Sequence, residues 1–185
     1  TPGHPNRDDT MATKKTAMFT LTERLTISAG ATNTFATIDL GSYVDVGDRQ
    51  ALQVHSVDYV FQGTTANDHV EQAMAVDDST LIQLTDLNRG GLVFANDRSL
   101  VSSAALYKSA AGEMNAVTDM FPDNYGKGAD DGRYVVNDQL YLTGRCTQIN
   151  SGTAVNVTVR VNCSVVTLGA KDFMAIAIQS TAADN

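Results

Sequence analysis

Three histidines, two cysteines, three glutamates and, beyond residue 16, two adjacent aspartate pairs are the residues from which a catalytic or metal site would have to be built. The histidines are His4, His55 and His69. Zinc sites place their ligands a few residues apart, and these three show no such spacing, so each reads as structural or solvated. No HExxH, CxxC, GxSxG or phosphate-loop pattern occurs. Glycoside hydrolysis needs two carboxylates facing one cleft, yet Glu23, Glu71 and Glu113 are scattered along the chain. Asp77-Asp78 and Asp130-Asp131 fall in expected turns. Neighbours on an extended chain point to opposite faces, so neither pair is a natural dyad. Loop carboxylates of this kind can join a calcium site; the plainer reading is solvated turn aspartates. Arg89-Gly90-Gly91 reads as a turn, since no strand–loop–helix pattern makes it a phosphate cradle. Asn156-Val157-Thr158 and Asn162-Cys163-Ser164 match the glycosylation sequon, but both asparagines sit on the polar side of an expected strand. The sequence therefore names no catalytic, cofactor-binding or metal-binding residue, and the chain reads as a non-enzyme without a cofactor.

The elements that would carry these residues are mostly strands. Val155, Val157, Val159, Val161, Cys163 and Val165 alternate with Asn156, Thr158, Arg160, Asn162 and Ser164, the pattern of a half-buried strand. Residues 139–149 give a second strand, with Leu140, Leu142, Gly144 and Cys146 on one face. Asn150-Ser151-Gly152-Thr153 reads as the turn of a hairpin joining the two. In that register Cys146 faces Val157 and Cys163 faces Leu140. The thiols are then about 20 Å apart at roughly 3.3 Å per residue, beyond disulfide reach, so both are expected to be free and buried. Residues 171–179 hold a continuous apolar run, Phe173 to Ile178. It reads as a last strand, buried on both faces or covered by a neighbour on one.

Upstream, Phe19, Leu21, Leu25 and Ile27 share one face of a strand at 17–27. A second strand covers 35–40. Along 51–62, Leu52 and Val54 are in phase with each other, whereas Val57, Tyr59 and Phe61 are in the opposite phase. That slip near His55-Ser56 predicts a β-bulge. A helical turn is expected at 70–75, a strand at 80–87, and a helix at 99–111 from Leu100, Ala104 and Tyr107. Residues 121–132 read as a long loop dense in Gly, Pro and Asp. Residues 1–16 form a polar arm, flexible or extended until a partner orders it, and 17–185 form one β-sandwich domain.

Composition agrees. The 185 residues suit a single domain. The chain contains 21 Thr, 18 Val and 6 Ile, whose branched side chains favour a pleated surface. Its acid is 18 Asp against 3 Glu, and Asp favours turns where Glu favours helix surfaces. A net charge of −8 with five lysines makes a poor binder of nucleic acid. No apolar run reaches the roughly 18 to 20 residues of a transmembrane helix. About eight or nine strands, long loops and one or two short helices define an all-β sandwich or single jelly roll.

This organisation resembles the single jelly-roll capsid proteins of small icosahedral viruses, including the paired small capsid proteins of membrane-containing archaeal and bacterial viruses. The likeness lies in the polar arm, the β-rich body, the long loops and the final apolar segment, and in residues 38–50 (Ile38-Asp39-Leu40-Gly41-Ser42-Tyr43-Val44-Asp45-Val46-Gly47-Asp48-Arg49-Gln50) and 133–140 (Arg133-Tyr134-Val135-Val136-Asn137-Asp138-Gln139-Leu140). It implies a structural subunit that self-assembles with further copies or with other capsid proteins of the same shell, located in the virion. The arm departs from capsid arms that grip a single-stranded genome, because its cations are only Arg7, Lys14 and Lys15. That favours a shell around an internal membrane or a packaged duplex, or a role outside a capsid. The alternatives are a carbohydrate- or ligand-binding sandwich, which usually displays exposed aromatics, and a filament or surface-layer subunit of an extracellular assembly. The chain has no Trp, and its Tyr and Phe fall mostly on core-phase positions.

Overall fold

The computed structural model describes residues 12–67, 69–121, 132–147 and 154–181. Among the described residues ten strands and two helices follow one another: β1 (Ala12–Lys14), β2 (Phe19–Ile27), β3 (Thr34–Asp39), β4 (Gln50–Gln62), α1 (Val70–Ala73), β5 (Asp78–Thr85), β6 (Leu100–Lys108), β7 (Met114–Phe121), β8 (Arg133–Val135), β9 (Gln139–Cys146), β10 (Val155–Leu168) and α2 (Ala170–Thr181). All pairings are antiparallel. One sheet runs β2–β10–β4–β8, with β1 continuing along the same edge of β10 as β2. The other runs β3–β9–β5–β6–β7. Without β1 and β7, each sheet has four strands and the chain crosses between sheets in jelly-roll order. The fold is an all-β sandwich of that kind.

The core follows from the alternation. Val155, Val157, Val159, Val161 and Cys163 of β10 are buried against Leu140, Leu142, Ile82, Leu84 and Ala104 of the facing sheet. Each such aliphatic side chain contributes about 1.5–3 kcal/mol on burial. The bulge falls where the phase slip placed it. Asn162 pairs with Ser56 and Cys163 with Val54, which leaves His55 as the extra residue of β4. The short helix near residue 70 is α1.

Three expectations are corrected. First, 139–149 and 155–165 are not a hairpin: β9 pairs with β3 and β5, whereas β10 pairs with β2, β4 and β1. Two strands with apolar faces bury them equally well by pairing side by side or by facing each other across the core, and period-two alternation does not distinguish the two. The expected turn at Asn150–Thr153 lies outside the described residues.

Second, 171–179 is helix α2 rather than a strand. A continuous apolar run does not reveal its period. Ala170, Ala175 and Ala177 favour helix, and Phe173, Ile176 and Ala177 recur at helical spacing. These three cover the outer side of the first sheet, packing with Ala12, Ala51, Tyr134, Val136, Val166 and Leu168. Third, 99–111 is strand β6 rather than a helix. Val101, Ala104 and Leu106 join the core, while Ser102 and Ser103 are also buried. Burial in a strand between β5 and β7 outweighs a weak helical spacing.

Of the arm, residues 1–11 lie outside the described residues. Ala12–Lys14 pair with Val166–Leu168, and the N–H groups of Lys15 and Thr16 both donate to the carbonyl of Val165, at 2.8 and 3.3 Å. The last part of the expected arm is therefore bound to its own domain.

Candidate functional site

The residues singled out for chemistry do not converge. His55 stands on the bulge, its Nε2 2.9 Å from Ser164 Oγ. Burial, and then the charge of Lys14, hold its pKa below the ordinary histidine value. Ser164 is itself buried, with no room for a substrate, and the group next to the ring is a cation rather than an orienting carboxylate. His69 is exposed before α1, and His4 lies outside the described residues. Glu23, Glu71 and Glu113 fall on β2, α1 and the β6–β7 turn. Among the described residues no three His, Cys, Asp or Glu side chains gather as metal ligands. No helix there is long and apolar enough to cross a membrane.

The Asp77-Asp78 pair diverges, as adjacent residues should, but Asp78 is not solvated. It is buried, and its Oδ1 accepts hydrogen bonds from the N–H of Ser79 at 2.8 Å and from Thr147 Oγ1 at 3.0 Å. Asp77 has φ of 56° and accepts from the Tyr107 hydroxyl at 2.9 Å. That bond raises the Tyr107 pKa. Asp130 and Asp131 lie outside the described residues. Both cysteines are free and buried. Desolvation pushes the Cys163 thiol up to about 12, so neither a nucleophile nor a metal ligand is prepared there.

The two sequon asparagines are engaged on the outer face of the first sheet. Asn156 Nδ2 donates to the Gly63 carbonyl at 2.9 Å, and its Oδ1 accepts from Thr26 at 2.7 Å. Asn162 Nδ2 donates to Ser56 Oγ at 2.7 Å and to Asp58 Oδ2 at 3.2 Å, while its Oδ1 accepts from Thr20 at 2.8 Å. A glycan on either nitrogen would break these cross-strand bonds.

Sequence reasoning missed a charged cluster where loop 86–99, the start of β8 and α2 meet. Arg133 Nη2 donates to Asp86 Oδ2 at 2.9 Å and also to the carbonyl of Arg98. Asp86 is buried, and its Oδ1 has no hydrogen-bond partner among the described residues. Burial raises its pKa, against the pull of Arg133. Beside it Arg89 Nε pairs with Asp97 Oδ2 at 3.1 Å. Burial alone would raise the Asp97 pKa, but hydrogen bonds from Ser99 and the charge of Arg89 bring it below the ordinary value. A cavity of about 350 Å³ adjoins the cluster, with Ile176 and Gln179 of α2 among its walls. The cluster ties the loop to the sheet. Its members lie far apart along the chain, and no motif spacing marks them.

The surface carries apolar groups that the pattern did not place there. Phe94, at the tip of loop 86–99, is 87% exposed, and Phe35 on β3 is 54% exposed. Not all the aromatics therefore serve the core. On α2, Met174 and Ile178 stand one turn apart at 61% and 59% exposure, away from the face that covers the sheet.

No family model matches the chain, and no curated protein matches it. Among solved structures it is similar to VP1 of Trichodysplasia spinulosa-associated polyomavirus in complex with 3'-sialyllactose, at 6% identity and a TM-score of 0.43, over 85% of this chain and 97% of that one. It is also similar to the Merkel cell polyomavirus VP1 unassembled pentamer, at 5% identity and a TM-score of 0.43, over 85% and 98%. Likeness this distant transfers no residue roles. The jelly-roll assignment rests on the strand order of the chain itself.

Proposed function

We propose that the chain is a structural subunit that assembles with further copies of itself, or with other proteins of the same shell, into an icosahedral viral capsid. The observation that carries this reading is α2. A helix apolar on more than one side belongs in an interior. Phe173, Ile176 and Ala177 cover the outer side of one sheet, while Met174 and Ile178 are left to solvent by the described chain. A neighbouring subunit would complete the burial. The divergent placement of the catalytic residue types supports a structural role. The acidic balance, −8 overall, supports a shell that encloses a membrane or a duplex, as in the archaeal and bacterial viruses whose small capsid proteins the sequence resembles.

The test is sedimentation velocity and negative-stain microscopy of the purified chain across concentration and salt. Closed particles or discrete oligomers are expected. The double variant Met174→Asp with Ile178→Asp should remain monomeric with an unchanged melting temperature, since both positions are exposed in the subunit. A monomer under every condition, or particles undisturbed by the double variant, would remove the support that α2 gives. Filaments or flat sheets would instead favour the surface-layer reading.

A further inference from the structure

β3 is one of the two edge strands of the second sheet. Phe35 and Thr37 alternate outward along it, and the register sets Thr143 opposite Phe35 and Tyr141 opposite Thr37. Loop 86–99 folds back over this face. The Gln83 side-chain amide donates to the Val93 carbonyl at 2.9 Å and accepts from the Val93 N–H at 2.8 Å, so one side chain stands in for a neighbouring strand. The turn nearer the edge is closed by the Gly90 N–H donating to Asn88 Oδ1 at 3.1 Å. Gly90 has φ of 68°, where a side chain would be strained. Between this turn and the strands lies a cavity of about 360 Å³, bounded by Phe35, Thr37, Asn88, Gly90, Tyr141 and Thr143.

Its chemistry limits what fits. Among the described residues no charged side chain lines it, and the cation of the turn, Arg89, is committed to Asp97 and Ser99. Phe35 and Tyr141 supply aromatic surface. The Asn88 amide N–H₂ and the hydroxyls of Thr37, Tyr141 and Thr143 have no hydrogen-bond partner among the described residues. Thr143 is only 5% exposed, so a purely apolar occupant would leave its hydroxyl without a partner, at a cost in affinity. A small cavity with aromatic walls and a few convergent polar groups suits a ligand with one apolar face and a hydroxylated rim.

We propose that this cavity binds a neutral pyranose ring of a glycan. The C–H face of the sugar lies against Phe35 and Tyr141, and its hydroxyls bond Asn88, Thr37 and Thr143. The site is complete within one chain and stands apart from the assembly reading.

The test is saturation-transfer NMR on the purified chain with methyl β-galactoside, methyl α-glucoside, methyl α-mannoside and methyl N-acetyl-β-glucosaminide, with a methyl sialoside as the anionic probe. At least one neutral probe should bind with a dissociation constant of about 1–10 mM, ordinary for a ligand of this size. Phe35→Ala should weaken binding about fivefold or more through lost aromatic contact. Thr143→Val, nearly isosteric, tests the hydroxyl, and melting curves establish that each variant is folded. Thr37→Val, which removes the other threonine hydroxyl of the cavity, is the substitute should Thr143→Val disturb the sheet. Binding of no neutral probe overturns the proposal. So does binding that neither Phe35→Ala nor the folded hydroxyl variant weakens, or a preference for the sialoside. If Phe35→Ala abolishes self-assembly while no sugar binds, the face belongs to a second copy and the proposal fails.

Discussion

At the scale of single residues, the chain gives its reactive types structural work. Cys163 sits at the bulge with its thiol pushed up to about 12 by burial, and Cys146 is buried with Thr80 Oγ1 3.6 Å from its sulfur. Native protein at pH 8 should resist iodoacetamide, and denatured, unreduced protein should take up an adduct on both cysteines by mass spectrometry. A recovered Cys146–Cys163 disulfide would contradict these separate settings. Their free state was legible from the sequence, although the hairpin argument behind it was not the right one. The Asp86–Arg133 pair was not legible, because only folding brings loop and strand together. Replacing Arg133 by Leu leaves a buried carboxylate alone and should cost about 2–4 kcal/mol at pH 7 to 8. The Asp86 pKa is already raised by burial, and it rises further without the guanidinium. A carboxyl whose folded pKa exceeds its unfolded value loses stability as pH rises through the folded value and regains it on acidification. The deficit of Arg133→Leu should therefore shrink towards pH 4 in urea unfolding. Adding Asp86→Asn should make the deficit independent of pH. An Arg133→Leu deficit constant across that range would mean Asp86 is not the group left uncompensated.

At the scale of elements, the readable features were those set by side-chain period along one strand, and the misread ones were those set by partners. The slip at His55 needed only local phase, and it appeared as a bulge. The partner of β10 needed knowledge of the other sheet. Glu23 shows a related logic. It occupies the core-facing phase of β2 between Leu21 and Leu25, and β2 is an edge strand. An inward-phase charge there discourages pairing with foreign strands. Gly144, within the apolar row of β9, was visible in the sequence without its purpose. A Cβ there would stand 2.6 Å from two carbons of Ile27 and 2.9 Å from Leu25 Cδ2, where the fully buried Ile27 has little space to yield. Gly144→Ala should cost about 1–3 kcal/mol through overpacking between the sheets. Combining it with Ile27→Val, which removes the nearer methyl, should cost less than the two single changes together. Strict additivity in denaturant unfolding would place Gly144 away from this contact.

At the scale of the whole molecule, composition and turn chemistry were enough to reach an all-β sandwich, because a chain rich in Thr, Val and Asp has few other ways to bury its apolar half. The boundary between arm and domain was harder, since a polar strand at a sheet edge has no apolar period to announce it. Ala12 is buried beside Phe173 in the cluster beneath α2. Thr16 Oγ1 accepts the Val165 N–H at 2.9 Å. Two truncations separate the parts. Residues 1–11 carry no apolar period that could join a core, and deleting them should leave the melting temperature within about 2 °C of the full chain. Deleting residues 1–16 strips β1 from β10, leaves backbone groups of Val165–Leu168 unpaired and uncovers one side of the α2 cluster. A loss of about 2–3 kcal/mol corresponds to about 5–10 °C in a domain of this size. Read together with light scattering, the pair also tests the assembly role. If residues 1–11 reach a neighbouring subunit, the shorter truncation should keep its melting temperature and form fewer or irregular particles. Normal particles would make residues 1–11 dispensable for assembly. Equal melting temperatures for the two truncations would show that β1 adds nothing to the stability of the sheet.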